Sequence, residues 1–269
     1  MMWVESAGIT DVGRRRENNE DRIFLDDEHG LYLVADGMGG HQAGEIASQL
    51  VVETLRDFIA DNGAGGAESR PATAFSRPAE RMLAGIRQSN RVVHAAAQAN
   101  SRYHGMGSTV AAVWLTPENL IAANVGDSSI YLIRKGKIDL LSVPHTLQAE
   151  SEDPVRAATV SNILTRAVGP RPEVEADLCE LSCFRNDLLV LCSDGLSTKV
   201  APWEILAIAA KRPAEVVCRS LVNLANERGG DDNISAVVVR VKRVRRYRLG
   251  CVTRWAHRLK RMLPRSRRN

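Results

Sequence analysis

Carboxylates stand where strands should end. Asp36 follows the apolar run 31–34 in Ala35-Asp36-Gly37-Met38-Gly39-Gly40-His41. Asp194 follows the run 188–191 in Cys192-Ser193-Asp194-Gly195, and Asp231-Asp232 precede the apolar stretch 233–241 in Gly229-Gly230-Asp231-Asp232-Asn233. A further acidic group, Asp11-Val12-Gly13-Arg14-Arg15-Arg16-Glu17-Asn18-Asn19-Glu20-Asp21, carries three arginines. An Asp between a strand and a Gly sits at a sheet edge, where the backbone is free to turn. One such Asp-Gly alone is usually only a turn. Several, with arginine beside them, suggest convergence. Converging carboxylates repel one another unless cations lie between them, and hard oxygen donors with retained waters suit Mg²⁺ or Mn²⁺. Two such ions about 3.5–4 Å apart lower the pKa of a bridging water and clamp a phosphoryl oxygen.

The elements that must position these groups are legible as periodicity. Residues 3–9 read as a weak opening strand. Runs 22–25 and 31–35, joined by Asp26-Asp27-Glu28-His29-Gly30, form a hairpin signal. Residues 43–59 and 79–99 have helical spacing, separated by a Gly-, Ala-, Ser- and Pro-rich loop over 61–78. Short strand runs follow at 108–115, 120–125, 129–134 and 137–141, with Lys135-Gly136 as a tight turn, then at 173–181 and 187–192. Helices are expected over 202–210, with Pro202 in the opening turn, and 214–227. The stretch 233–241 closes the body as a strand. Strands with helices grouped between them indicate an α+β layered domain rather than βαβ alternation. No internal repeat is present.

Asp11-x-Gly-x-x-Arg16-x-x-Asn19-Glu20-Asp21, Asp36-Gly-Met-Gly-Gly, Gly107-Ser-Thr, Val125-Gly-Asp127-Ser, Leu164-Thr-Arg-Ala-Val-Gly, Ser193-Asp194-Gly-Leu and Gly230-x-Asp232-Asn, in this order, resemble the bacterial form of the PPM (type 2C) metal-dependent protein phosphatases. The resemblance spans Asp11 to Val241. It implies a four-layer α-β-β-α sandwich of two antiparallel sheets flanked by helices. It also implies hydrolysis of phosphoserine and phosphothreonine by direct attack of a metal-bridging hydroxide, with Mn²⁺ or Mg²⁺ as two ions and a possible third. By the same resemblance Asp36 bridges two metals, the Gly37 carbonyl binds one, and Asp194 and Asp232 complete the coordination shell of the second metal. Glu20 and Asp21 hold metal-bound waters, Arg16 grips the phosphate, and Asp127 with Asp194 holds the third metal. Asp232 is preferred to Asp231 because it directly precedes Asn, and Arg14 and Arg15 are read as solvated charges.

The chain departs from the family's pattern in three places. Met38 replaces the histidine of eukaryotic relatives, so that acid is missing; His41 is read as a loop residue and a metal-bound water as the proton donor. The flap opens Pro144-His145-Thr146 rather than Asp-His-Ser, and Ser129 stands where an Arg is usual.

Other chemistries are weaker. Cys179-x5-Arg185 has the spacing of a cysteine-dependent phosphatase loop, but it lacks the glycines that aim N–H groups at phosphate and falls in a strand and its exit. There is no G-x-x-x-x-G-K. A noncatalytic binding module of the same fold would be expected to have lost ligands, and none of Asp36, Asp194 or Asp232 is missing.

The chain has 269 residues and a net charge of +4. Twelve Lys and Arg lie in 242–269 without any acid; removing them from the 36 Lys and Arg leaves 24 against 32 Asp and Glu, a body of charge −8. The reading is a phosphatase domain over 1–241 and a basic tail over 242–269. From Val252, apolar residues Trp255, Leu259, Met262 and Leu263 recur at helical spacing, a pattern suited to an anionic membrane surface or an acidic protein. Nucleic acid is not expected, given the acidic body and 4% aromatics. Phosphorylated proteins, with a Ser/Thr kinase and its substrates, are the expected partners. No apolar run reaches the roughly 18 residues of a membrane span, and the start shows no secretory leader. Five cysteines without zinc-ligand spacing read as reduced thiols. The expected location is cytoplasmic, with an option at the inner membrane face.

Overall fold

The computed structural model describes residues 3–39, 43–61, 75–151, 163–244 and 254–255. Its strands are β1 (Trp3–Asp11), β2 (Asp21–Asp26), β3 (Leu31–Met38), β4 (Gly107–Ser108), β5 (Val110–Leu115), β6 (Asn119–Val125), β7 (Ser129–Arg134), β8 (Lys137–Leu140), β9 (Asp177–Ser182), β10 (Leu188–Cys192), β11 (Ile234–Arg243) and β12 (Arg254–Trp255). Its helices are α1 (Ala43–Ala60), α2 (Arg77–Ala99), α3 (Leu147–Glu150), α4 (Asp194–Ser197), α5 (Pro202–Ala209) and α6 (Ala214–Glu227). One sheet runs β1-β11-β10-β7-β8; the other runs β12-β9-β6-β5-β3-β2, with β4 paired to β3. Every pairing among the described residues is antiparallel.

The period-2 alternation of strand side chains builds the layers. In β3, Leu31, Leu33 and Ala35 pack with Val51 and Leu55 of α1 and Met82 and Ile86 of α2. Tyr32 and Val34 face the other way, into a core between the sheets that includes Leu189, Leu191, Val237 and Val239. The alternate residues of β10 and β11, Val190 and Val238 among them, pack with Ile205 of α5 and Val217 and Leu221 of α6. Three apolar layers thus separate four structural ones, the expected α-β-β-α sandwich. Both faces of the central strands are covered, which is why 188–192 and 236–239 read as unbroken apolar runs rather than alternating ones.

Local differences from the sequence reading have physical causes. The opening strand is longer than its weak propensity suggests, because β1 pairs with β11 along its length. Gly8 within it leaves room for the tip of Leu25: a Cβ there would lie 2.7 Å from Leu25 Cδ1. Helix α2 begins at Arg77, capped by Ser76, whose hydroxyl accepts from the Ala79 N–H at 3.3 Å. The strand expected from 173 starts only at Asp177; residues 173–176 carry no regular structure, and the Arg171 and Pro172 carbonyls just before them accept from Asn90 Nδ2. The Lys135-Gly136 turn has φ of 52° and 76°, the left-handed pair that a tight hairpin needs. The last strand runs to Arg243, past Val241. Most of the tail, including most of the helix expected from Val252, lies outside the described residues, as does 62–74 of the expected loop. Arg254–Trp255 are extended and pair with Glu180 and Cys179 of β9.

Candidate active site

The acidic residues come from strand ends at one end of the sandwich. Asp21 opens β2 directly opposite Asp36 near the end of β3. Asp127 lies in the turn from β6 to β7, Asp194 follows β10, and Asp232 precedes β11. Like charges directly opposed across strands are destabilising, so the fold accepts a cost at this position. Asp36, Asp127, Asp194, Asp232 and Glu20 line one cleft of about 1020 Å³, with Arg16 at the same opening. Asp21 is fully buried nearby.

The backbone around these groups is tied from several sides. The Asp36 N–H donates to Thr109 Oγ1 at 3.0 Å, and the Thr109 N–H donates to the Asp36 carbonyl at 2.8 Å. Thr109 Oγ1 also lies 2.7 Å from Ser128 Oγ, beside Asp127. Asn233 Oδ1 accepts from the Glu20 N–H at 2.8 Å, while its Nδ2 donates to the carbonyls of Val12 and Asn18, both at 2.9 Å. Ser193 Oγ donates to Asp21 Oδ2 at 2.7 Å. Thr109, Ser193 and Asn233, motif residues to which the resemblance gives no role, are the struts of the acidic group.

Burial and mutual repulsion raise the acids. Burial, then the charges of Asp21, Asp194 and Asp127, hold the Asp36 carboxyl well above the usual carboxylate range. Burial pushes Asp21 up to about 7 against hydrogen bonds from Ser235 and Ser193, and Asp127 up to about 6 with help from Asp194. Asp194 is raised by burial and by Asp232, against a hydrogen bond with Asp36. Glu20 is raised by burial, with Arg16 opposing.

The donor set fits hard divalent cations. It is all oxygen, and buried Asp21 Oδ1 has no hydrogen-bond partner, as expected of an atom placed to accept from an ion-bound water. Gly37 and Gly44 leave a tight backbone cradle: a Cβ on Gly37 would lie 2.0 Å from the Gly44 carbonyl oxygen, and one on Gly44 would lie 2.4 Å from Glu20 Oε2. Among the described residues no three His, Cys, Asp or Glu side chains close on a single point. Mg²⁺ and Mn²⁺ do not need such a cage, because they keep several waters and use few carboxylates.

The remaining candidates separate cleanly. Arg16 Nη2 donates to Asp232 Oδ2 at 2.8 Å, so the arginine expected at the phosphate stands on a metal-ligand candidate. Asp231 instead pairs with Lys199, and with Arg15 at 3.9 Å. Arg14 and Arg15 are exposed. His41 lies outside the described residues. Cys179 is buried in β9, and burial pushes its thiol up to about 11, the reverse of an activated nucleophile.

The sequence profile of the protein phosphatase 2C family matches residues 12–238. The chain is 32% identical over 241 residues to the serine/threonine phosphatase stp of Listeria welshimeri serovar 6b, covering 86% of this chain and 93% of that protein. The structure is similar to that of the Mycobacterium tuberculosis serine/threonine phosphatase PstP/Ppp, with a TM-score of 0.77 and 30% identity over 89% of this chain and 99% of that one. It is also similar to the catalytic domain of the serine/threonine protein phosphatase PstP in complex with two manganese ions, with a TM-score of 0.76, 30% identity and the same coverage.

Proposed function

Since the chain belongs to the protein phosphatase 2C family, we propose that the carboxylate cleft is its catalytic centre. The activity is hydrolysis of phosphoserine and phosphothreonine in proteins, and the cofactor is Mn²⁺ or Mg²⁺. The observation that carries the site assignment is the meeting of carboxylates from both sheets, Asp36 from one and Asp194 and Asp232 from the other, in one cleft. Asp36, the Gly37 carbonyl, Asp194 and Asp232 hold two ions; Glu20 and Asp21 accept hydrogen bonds from ion-bound waters; Asp127 and Asp194 hold a third. When bound, the ions supply an activated water and a clamp for phosphoryl oxygens.

Arg16 serves the substrate. Its planar fork matches a phosphate dianion, and its present partner, Asp232, keeps it at the mouth of the site. A contact made in the ground state as well as the transition state acts mainly on binding. Arg16→Ala is therefore expected to raise KM for a phosphothreonine peptide more than it lowers kcat. An unchanged KM would move the phosphate contact elsewhere, with Arg14 and Arg15 the next arginines to test.

Phosphoproteins are the partners, and a Ser/Thr kinase with its substrates is the natural opposing system. No helix among the described residues is long and apolar enough to cross a membrane. We place the protein in the cytoplasm, with the catalytic domain ending near the last strand and the basic segment beyond it as a docking element for an anionic membrane face. Deleting 246–269 is expected to leave hydrolysis of p-nitrophenyl phosphate unchanged, because the matched motifs end before it. The same deletion should weaken salt-sensitive co-sedimentation with phosphatidylserine vesicles, each Lys or Arg near the surface contributing about 1 kcal/mol. Equal sedimentation of both forms would rule out the membrane role.

A further inference from the structure

His145 is fully buried, yet both of its ring nitrogens are engaged. Its Nδ1 accepts from the Gly126 N–H at 3.0 Å, and its Nε2 lies 2.7 Å from Asp177 Oδ2. A backbone N–H can only donate, so Nδ1 carries a lone pair and the proton is on Nε2, donated to Asp177. The anchor at Gly126 is firm. The His145 N–H donates back to the Gly126 carbonyl at 3.1 Å, and Asn124 Nδ2 donates to the same carbonyl at 3.3 Å. Gly126 has φ +96°, and a Cβ there would meet Thr109 Cγ2 at 2.6 Å. This turn cannot shift without disturbing Thr109, which holds Asp36.

The far end of the chain of contacts reaches the cleft. Asp177 Oδ2 accepts from Arg166 Nη1 at 3.0 Å, and Arg166 lines the cleft. Arg166 Nη2 also pairs with the Glu150 carboxylate at 3.7 Å, a separation longer than a hydrogen bond, and Nη1 reaches the Glu175 carbonyl at 3.5 Å. One aspartate oxygen thus holds Arg166 Nη1 and His145 Nε2 together, and tethers the guanidinium at that nitrogen. The imidazole in turn fixes the aspartate. Without His145, Asp177 would be free to rotate about its side-chain bonds and carry Arg166 with it.

We propose that His145, through Asp177, is a positioning residue that aims Arg166 at the substrate. This inference rests on the phosphatase reading of the cleft. It assigns Arg166 to the phosphopeptide as a second cationic contact beside Arg16. It also explains why a histidine stands on the 144–146 segment even though the residues flanking it differ from the usual flap motif.

A double-mutant cycle on the full chain tests it, with a phosphothreonine peptide as substrate and saturating Mn²⁺. His145→Asn keeps an acceptor near Gly126 but cannot reach Asp177. His145→Asn and Arg166→Ala should each raise KM about five- to tenfold with kcat within about twofold, and the double variant should be no worse than Arg166→Ala alone. A KM unmoved by His145→Asn, or effects that multiply in full, would overturn the positioning role. Asp177→Asn provides the second variant, expected to raise KM in the same way, should His145→Asn fold poorly. Long-range ¹⁵N correlation of the labelled wild type, with His145 assigned by its loss in the variant, should show the Nε2–H tautomer; the Nδ1–H tautomer would overturn the proposal regardless of kinetics. Absence of peptide turnover by the wild type would instead count against the proposed function, and the tautomer would still decide the geometry.

Discussion

Asp36→Asn is expected to remove nearly all phosphopeptide hydrolysis, on the order of a thousandfold or more, because one carboxylate is asked to serve both ions. The amide has the same shape, and the backbone there is held by Thr109 on both its N–H and carbonyl sides, so the fold should survive. In the metal-free state the variant should even be more stable than the wild type. Asp36 is buried and faces Asp21, Asp194 and Asp127, and replacing it removes charge from the most crowded point of the cleft. The paired result expected is therefore a higher metal-free melting temperature with almost no kcat. Retention of more than about a tenth of the wild-type rate would show that Asp36 is not the bridging ligand.

Metal removal is expected to have the next largest effect, and it should reverse how stability depends on pH. Burial pushes Asp21 up to about 7 and Asp127 up to about 6, from an ordinary 3.8. An acid raised on folding contributes stability that is fully present below its unfolded pKa and lost as pH rises through its folded pKa. In the stripped protein these two groups should thus cost stability between about pH 4 and 7, on the order of a few kcal/mol together. Bound cations favour the ionised carboxylates, so metal affinity rises with pH and binding releases protons. Melting temperatures measured from pH 5 to 8 should fall for the stripped protein and hold or rise for the Mn²⁺-loaded one. Parallel curves would mean that the carboxylates do not meet the ions.

Much of this was legible in the sequence because the chemistry sits at element boundaries. Asp36, Asp194 and Asp232 each adjoin an apolar run, and a run covered on both faces is hard to mistake. The α+β layering followed from the same runs, while the four-layer sandwich came from the motif resemblance. The choice of Asp232 over Asp231 came from its neighbour Asn233; the structure gives that asparagine three hydrogen bonds across the turn and gives Asp231 to Lys199. What escaped notice depends on distant contacts. Asp177 carries no local signal, being one acid at the start of an edge-proximal strand, and its meeting with His145 spans 32 residues. Asn90 reads as a polar residue on a helix, yet it holds the 169–172 turn from 79 or more residues away. Residues 173–176 satisfy strand periodicity, yet β9 starts only at Asp177, because that same asparagine holds the chain just before them at 171–172.

The central claim is that hydrolysis runs on divalent ions held by these carboxylates. It is tested most directly by following phosphate release from a phosphothreonine peptide after exhaustive chelation and gel filtration, then after adding back Mn²⁺ or Mg²⁺. The account predicts no measurable turnover in the stripped wild type, recovery with either cation, and no recovery in Asp36→Asn. Full turnover by the stripped protein would contradict it.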